Sequence, residues 1–311
     1  PVMNLEAIRL TVMASLLLGC RIATRSRFDR KNYFYPDMPK NYQISQYDQP
    51  LCLGGGLEIS AGEHRRIIRL RRIHLEEDVA KSLHYGNASA IDFNRAGTPL
   101  MEIVTEPDLR SPEDAHAFLT ELQRVLEYGR ISDCNLEEGN IRCDVNVSVR
   151  REGEETLGTK TELKNLNTFR GVQRALAAEI RRQISVLEAG GRVQQETRRW
   201  NDDAGVTEPM RTKEEEHDYR YFPEPDLMPI ELTADQIEAW RAELPELPAA
   251  RRARLVQQYG LPEYDAGVLT ADRGVADFFE ETVRICGRAK VVSNWIMTEV
   301  LRFLSERGVA I

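Results

Sequence analysis

Apolar and polar positions along the chain follow two periods, and these mark out its elements before any single residue is weighed. Between Ser111 and Gly129, Ala115, Phe118, Leu119, Leu122, Val125 and Leu126 recur at helical spacing. Ser111 suits an N-cap, Pro112 the first helical position, and Glu113 and Asp114 the positive helix end, while Gly129 closes the element. A second helix is expected from Thr168 to Ala189, with Val172, Leu176, Ile180, Ile184 and Leu187 as its apolar stripe and Gly190 and Gly191 as its stop. The apolar run Leu10–Cys20 lies between Arg9 and Arg21. It is shorter than the roughly 20 residues that span a bilayer, and no small-residue cleavage pattern follows it. It reads as a buried helix.

Period-two stretches predict the strands. In Asn140–Arg151, Ile141, Cys143, Val145, Val147 and Val149 alternate with polar residues, so one face belongs to a core. Thr159–Leu166 reads as a neighbouring strand with Lys160, Glu162 and Lys164 on one face, and Ile67–Glu77 and Leu100–Thr105 as two more. Gly54–Gly56 precede no helix, which makes them a strand connection rather than a phosphate cradle. Long antiparallel strands with helices on one side predict an α+β fold, a largely antiparallel sheet cradle with packed helices, over residues 1–245. The prolines of Leu244–Pro248 form a stiff linker. Beyond it Ala249–Tyr259, Leu261–Leu269, Val275–Ile285 and Val291–Arg307 read as helices, so residues 246–311 are expected to begin an all-helical domain. The 311 residues suit about two domains at roughly 100–200 residues each. The chain opens on Pro1 and ends just after a helix, and is read as a fragment cut at both ends.

Composition removes several function classes. Five scattered cysteines without a CxxC pair argue against a disulfide framework or a zinc knuckle, and for a reducing compartment, cytoplasm or organelle matrix. A net charge of −8 is not that of a general nucleic-acid binder, so an RNA partner requires a local basic patch or other chains of a complex. There is no GxxxxGK[ST] loop, GxSxG elbow or HExxH pair.

What stands out is acid on apolar faces. Glu77 shares the predicted face of Ile73 and Leu75, and Glu102 lies between Leu100 and Val104. Buried charge is costly unless it is paired or bound to a metal. These acids are either neutralised by nearby cations or form an Mg²⁺ site, with Glu76, Asp78, Glu137, Glu138, Asp144 and Glu162 as possible neighbours. Lys31 and Lys40 flank Tyr33, Phe34, Tyr35 and Tyr42, in either a packed loop or the lining of a polar tunnel. Lys160 and Lys164 either meet phosphate or sit on a solvated strand face. Asp218–Asp226 (DYRYFPEPD) is either a contact surface or a folded turn. His64, His74, His84, His116 and His217 show no pairing that suggests a triad, and His116 reads as structural or solvated.

Seven runs together resemble the GatB family, the B subunits of aspartyl/glutamyl-tRNA amidotransferases. They are FDRKNYFYPDMPKNYQISQYDQP (Phe28–Pro50), LEEDVAKS (Leu75–Ser82), DFNRAGTPLMEIVTEPDLRSPEDA (Asp92–Ala115), LEEGNIRCDVNVS (Leu136–Ser148), GTKTELKNLN (Gly158–Asn167), QQETRRW (Gln194–Trp200) and DYRYFPEPDLMP (Asp218–Pro229). The resemblance implies ATP-dependent phosphorylation of the carboxylate of Glu-tRNA(Gln) or Asp-tRNA(Asn), followed by amidation with ammonia channelled from an amidase. It implies ATP and Mg²⁺ as cofactors, with Glu77 and Glu102 on metal-holding positions and Asp144 and Glu162 beside them in a catalytic pocket. Lys160 and Lys164 become candidates for nucleotide phosphate, and Lys31 and Lys40 fall on ammonia-channel positions. The implied partners are misacylated tRNA and the other two members of a heterotrimer, an amidase and a small third subunit, with no membrane. The family's N-terminal metal-site segment and its C-terminal tail domain are expected to be absent from this stretch, and the isolated fragment to be inactive. The competing readings are a non-catalytic scaffold that docks the amidase and a stand-alone metal-dependent hydrolase.

Overall fold

The apolar run near the N-terminus folds into the Leu5–Leu17 helix in the computed structural model, which describes residues 2–62, 64–86, 88–136, 138–212, 219–309 and 311. Asn4 caps this helix by accepting from the Glu6 amide at 2.8 Å. Its buried Thr11 and Ser15 hydroxyls donate to carbonyls one turn back, both at 2.7 Å, so neither is left unsatisfied in the core. Val12, Met13, Leu16 and Leu17 are buried with it.

The chain divides into two compact units, residues 1–121 with 134–241, and 122–133 with 242–311. The first is α+β. Its largest sheet runs in the order Arg21–Ile22, Cys52–Leu53, His64–Glu77, Pro99–Thr105, and Gly56–Ala61 also pairs with the long strand His64–Glu77. Ile68, Leu70, Ile73 and Leu75 of that strand are buried. A four-stranded sheet joins Val145–Val147, Thr161–Lys164, Glu196–Asn201 and Val206–Thr212, with one parallel pair in its middle. A three-stranded sheet places Phe222–Pro223 beside Asp29–Asn32 and Tyr42–Ser45. Two motif runs nearly two hundred residues apart thereby become neighbours.

The glycine run connects strands, as expected. Gly55 has φ +89°, and a Cβ there would stand 2.5 Å from the Leu18 carbonyl oxygen and 2.6 Å from Cys20 Sγ. Only glycine lets this connection pass the end of the first helix.

Three expectations are corrected. The strand expected over Asn140–Arg151 shrinks to Val145–Val147, because only these residues find partners in Thr161–Lys164. Before it the chain turns, with the Asn140 amide donating to the Asn135 carbonyl at 2.9 Å. The apolar stripe of the second predicted helix, Phe169–Glu188, holds at Val172 and Leu176 but fails at Ile184 and Leu187, which are exposed. Glu179 and Gln183 are fully buried on that helix instead. Glu179 accepts from Thr161 Oγ1 at 2.8 Å, Thr207 Oγ1 at 2.7 Å and Gln183 Nε2 at 3.0 Å, and Arg182 makes two further bonds to it. A polar network fills the space a greasy stripe was expected to fill. The third correction is Glu102, whose side chain is 49% exposed. It sits on an outer strand of its sheet, where Leu100 and Val104 are themselves only half-buried.

The second unit is helical, with Pro248–Tyr259, Glu263–Leu269, Arg273–Cys286, Ala289–Trp295 and Leu301–Arg307. Ile296–Val300 continues the chain between the last two as a π-helical segment. Leu255, Leu269, Phe279 and Ile296 have no exposed surface and anchor its core. Asp272 caps the third of these helices by accepting from the Val275 amide at 2.9 Å. No described helix is long and apolar enough to cross a membrane.

Candidate active site

The antiparallel register of His64–Glu77 with Pro99–Thr105 sets Glu102 opposite His74 and Leu100 opposite Glu76. Side chains alternate across a strand, so His74, Glu76 and Glu102 share one face. His74 Nε2 lies 3.2 Å from Glu102 Oε2 and 3.8 Å from Glu76 Oε2. Ligand atoms of these three residues all fall within 4.8 Å of one another. His74 is buried and Glu76 nearly so. His74 Nδ1 is buried without a hydrogen-bond partner among the described residues.

Electrostatics bind the group together. Burial works against a charged His74, but hydrogen bonds to Glu102 and Glu76 hold its pKa above the ordinary value. Burial likewise works against the Glu102 carboxylate, while the His74 bond and the positive charges of Lys31 and Arg72 bring its pKa below the usual range. Two carboxylates and an imidazole form a donor set suited to a divalent cation. The oxygens satisfy hard ions such as Mg²⁺, and the imidazole nitrogen admits Mn²⁺ as well. The residues present therefore fit a metal.

Glu77 faces elsewhere. As the next residue on the strand after Glu76 it projects from the opposite face, where its carboxylate pairs with Lys40 Nζ and accepts from the Ile44 amide at 2.8 Å. The structure brings Glu102 to His74 and Glu76, and brings Glu77 to Lys40. Lys40 Nζ also lies 4.8 Å from the centre of the Tyr42 ring, and Lys31 Nζ stands 4.8 Å from that of Tyr219. Tyr219 contacts Tyr33 and Tyr221 edge-on, and Tyr221 stacks on Tyr47 at 4.3 Å. Burial pushes the Tyr33 and Tyr221 phenols upward, which keeps them protonated. Arg30 fastens this aromatic wall by a two-pronged bond to the buried Glu224, at 2.7 and 3.0 Å. Of DYRYFPEPD, Tyr219, Tyr221 and Glu224 belong to this wall, while Asp218 lies outside the described residues, as does His217 before it.

A third group forms on the four-stranded sheet. Lys164 Nζ lies 2.8 Å from Asp144 Oδ2 and 3.9 Å from Glu162 Oε1, and Thr197 Oγ1 donates to Glu162 at 3.0 Å. Lys160 is exposed just before the same strand. Asp78 pairs with Arg95 and Arg142 rather than with His74. Glu138 is exposed and accepts from Asn140 Nδ2 at 3.2 Å, and Glu137 lies outside the described residues. His116 meets the edge of Phe169 within its helix surroundings.

Sequence reasoning passed over His74 as a site residue. Its signal is a register: aligning LEE and PLMEIV as antiparallel partners sets the histidine across from Glu102, and nothing within either strand alone reveals it.

Comparison with known proteins adds a family. The model described as the GatB/GatE catalytic domain matches residues 1–238. The B subunit of the aspartyl/glutamyl-tRNA(Asn/Gln) amidotransferase from Moorella thermoacetica is 55% identical over 312 aligned residues, covering 99% of this chain and 66% of its own length. The protein of the same name from Caldanaerobacter subterraneus subsp. tengcongensis is 56% identical over 309 residues, 99% of this chain and 65% of its own. The chain thus spans about two thirds of the length of these curated relatives.

Proposed function

We infer that the chain carries the carboxylate-activating site of a tRNA-dependent amidotransferase, because it belongs to the GatB/GatE catalytic domain family. The observation that carries this reading is the meeting of His74, Glu76 and Glu102 on one strand face. Free carboxylate resists ammonia because its leaving group would be oxide. ATP-dependent phosphorylation of the Glu or Asp side chain on misacylated tRNA supplies phosphate as leaving group instead. Ammonia then attacks the acyl phosphate carbonyl, giving Gln-tRNA(Gln) or Asn-tRNA(Asn).

A divalent cation bound here would neutralise phosphate charge as it develops. His74, Glu76 and Glu102 would hold it. Lys164, with Asp144 and Glu162 fixing its ammonium, offers a cation to nucleotide phosphate, and Lys160 adds a second positive charge near that strand. The aromatic wall with Lys31, Lys40 and Glu77 fits a polar path for ammonia, since protonated phenols and paired charges can hydrogen-bond a small polar molecule without trapping it as ammonium. The assembly is completed by the amidase that releases ammonia and by a small third subunit.

The deciding experiment is Glu102→Gln in the complete amidotransferase. ATP-dependent Gln-tRNA or Asn-tRNA formation should vanish while the subunits still assemble. Undiminished amidation would remove the catalytic assignment.

A further inference from the structure

One buried acid of the first unit holds two arginines. Asp78 lies two residues beyond Glu76, about 7 Å along an extended chain, and its side chain is 3% exposed. Arg95 Nε reaches Asp78 Oδ2 at 3.1 Å, and Arg142 Nη2 donates to the same oxygen. Arg95 comes from the turn before Pro99–Thr105, and Arg142 from the run leading into Val145–Val147. Arg95 Nη2 also donates to the Gly139 carbonyl at 2.8 Å. A Cβ at residue 139 would stand 2.6 Å from Arg95 Nη1, and the glycine has φ +73°. The backbone makes room for this guanidinium.

Asp78 Oδ1 accepts from the Val79 amide at 2.8 Å, which leaves Oδ2 to the two arginines. Here two forks share a single oxygen, and the triad carries one net positive charge. Both arginine side chains keep about half their surface open, 41% for Arg95 and 51% for Arg142. Half-exposed guanidinium groups of this kind match phosphate oxygens in geometry and charge. Their place in the chain is equally informative. Asp78 follows the carboxylate–imidazole face by two residues, and Arg142 precedes Asp144, the partner of Lys164, by two.

We propose that Arg95 and Arg142, positioned by Asp78, form a phosphate clamp for the polyphosphate of a nucleoside triphosphate. The proposal rests on the ATP-dependent reading above for the identity of its ligand. An RNA backbone offers the same phosphate chemistry, and the test separates the two sources.

Arg142→Lys and Arg95→Lys, made in the complete amidotransferase, keep the charge and remove the planar fork. Calorimetric titration with inorganic tripolyphosphate reads phosphate binding without any turnover. The expected result is about tenfold weaker tripolyphosphate binding and a similar rise in KM for ATP, with KM for aminoacyl-tRNA unchanged. Weaker tRNA binding with a shallower salt dependence, and intact tripolyphosphate binding, would overturn the nucleotide assignment in favour of RNA. A lowered melting temperature with phosphate binding and both KM values unchanged would reduce the pair to a staple and overturn the clamp. Arginine-dependent tripolyphosphate binding in a wild-type assembly that makes no amidated tRNA would sustain the clamp and remove the functional reading alone.

Discussion

Glu102 stands directly across from His74 in the pairing of Pro99–Thr105 with His64–Glu77, and His74 Nε2 meets its carboxylate at 3.2 Å. An outer strand thus delivers a half-exposed acid to a buried base on its neighbour. Glu76, one position further along the same face, completes three ligand atoms that a single ion can reach. The half-exposed acid leaves one side of the cluster open, and the buried pair forms its floor.

From this relationship follows a metal prediction. Replacing His74 by Gln removes the only nitrogen donor of the cluster and the bond that orients Glu102. Mn²⁺ titration of the assembled enzyme should show affinity reduced by at least about tenfold, the order found when groups orienting a metal site are lost. Affinity equal to that of the unaltered protein would mean that the ion is held elsewhere.

Much of this architecture was legible in the sequence, for reasons that particular residues make clear. Ser111 accepts from the Asp114 amide at 3.0 Å, as its place before Pro112 requires, and Thr168 does the same for Gly171 at 2.9 Å. Capping chemistry is local, so it can be read locally. The pairing of Glu77 with Lys40 and of Glu102 with His74 is not local, because it depends on strand register and on which face each side chain takes. The three residues Glu76–Asp78 illustrate the gap: successive acids in one run go to His74, to Lys40 and to two arginines. The burial of Glu179 was hidden for a related reason. The spacing of apolar residues along a helix gives no sign of a carboxylate whose hydrogen-bond partners come from two strands and its own helix.

Lys40 tests the proposed ammonia path. In Lys40→Met, Glu77 keeps the Ile44 amide but loses its cation. Glutamine hydrolysis by the assembled enzyme should continue while glutamine-dependent tRNA amidation falls by about tenfold or more. Added ammonium salt should restore amidation, since it bypasses the path. Equal loss with glutamine and with ammonium would place Lys40 at the chemical step and not along the path.

Gly55→Ala addresses the fold beneath the site. The new methyl group would have to occupy space 2.5 Å from the Leu18 carbonyl oxygen, at a φ of +89° that side chains disfavour. Destabilisation of about 2–4 kcal/mol is expected, read as a shift in denaturant midpoint. Gly54→Ala meets nothing within 4 Å and should cost only the strain of its φ of +69°, about 1–2 kcal/mol. If the two variants proved equally stable, the packing argument at Gly55 would fail.

The buried acid Glu179 gives a pH prediction. Burial alone would raise its pKa, but hydrogen bonds from Arg182, Thr207, Gln183 and Thr161 outweigh it and bring the value to about 2 from 4.5. The folded state therefore favours the ionised form more than the unfolded chain does. Above the unfolded value the stabilisation is complete, and it declines as pH falls from about 4.5 toward 2. Glu179→Gln keeps the shape but gives up the charge that Arg182 and Arg198 face at 2.6 and 3.5 Å. It should lose a few kcal/mol at neutral pH, because two partly buried guanidinium groups lose their shared anion. The difference from the unaltered protein should then narrow in acid. Denaturation curves at several pH values would show this convergence, and a gap that stayed constant down to pH of about 2 would refute an electrostatic role for Glu179.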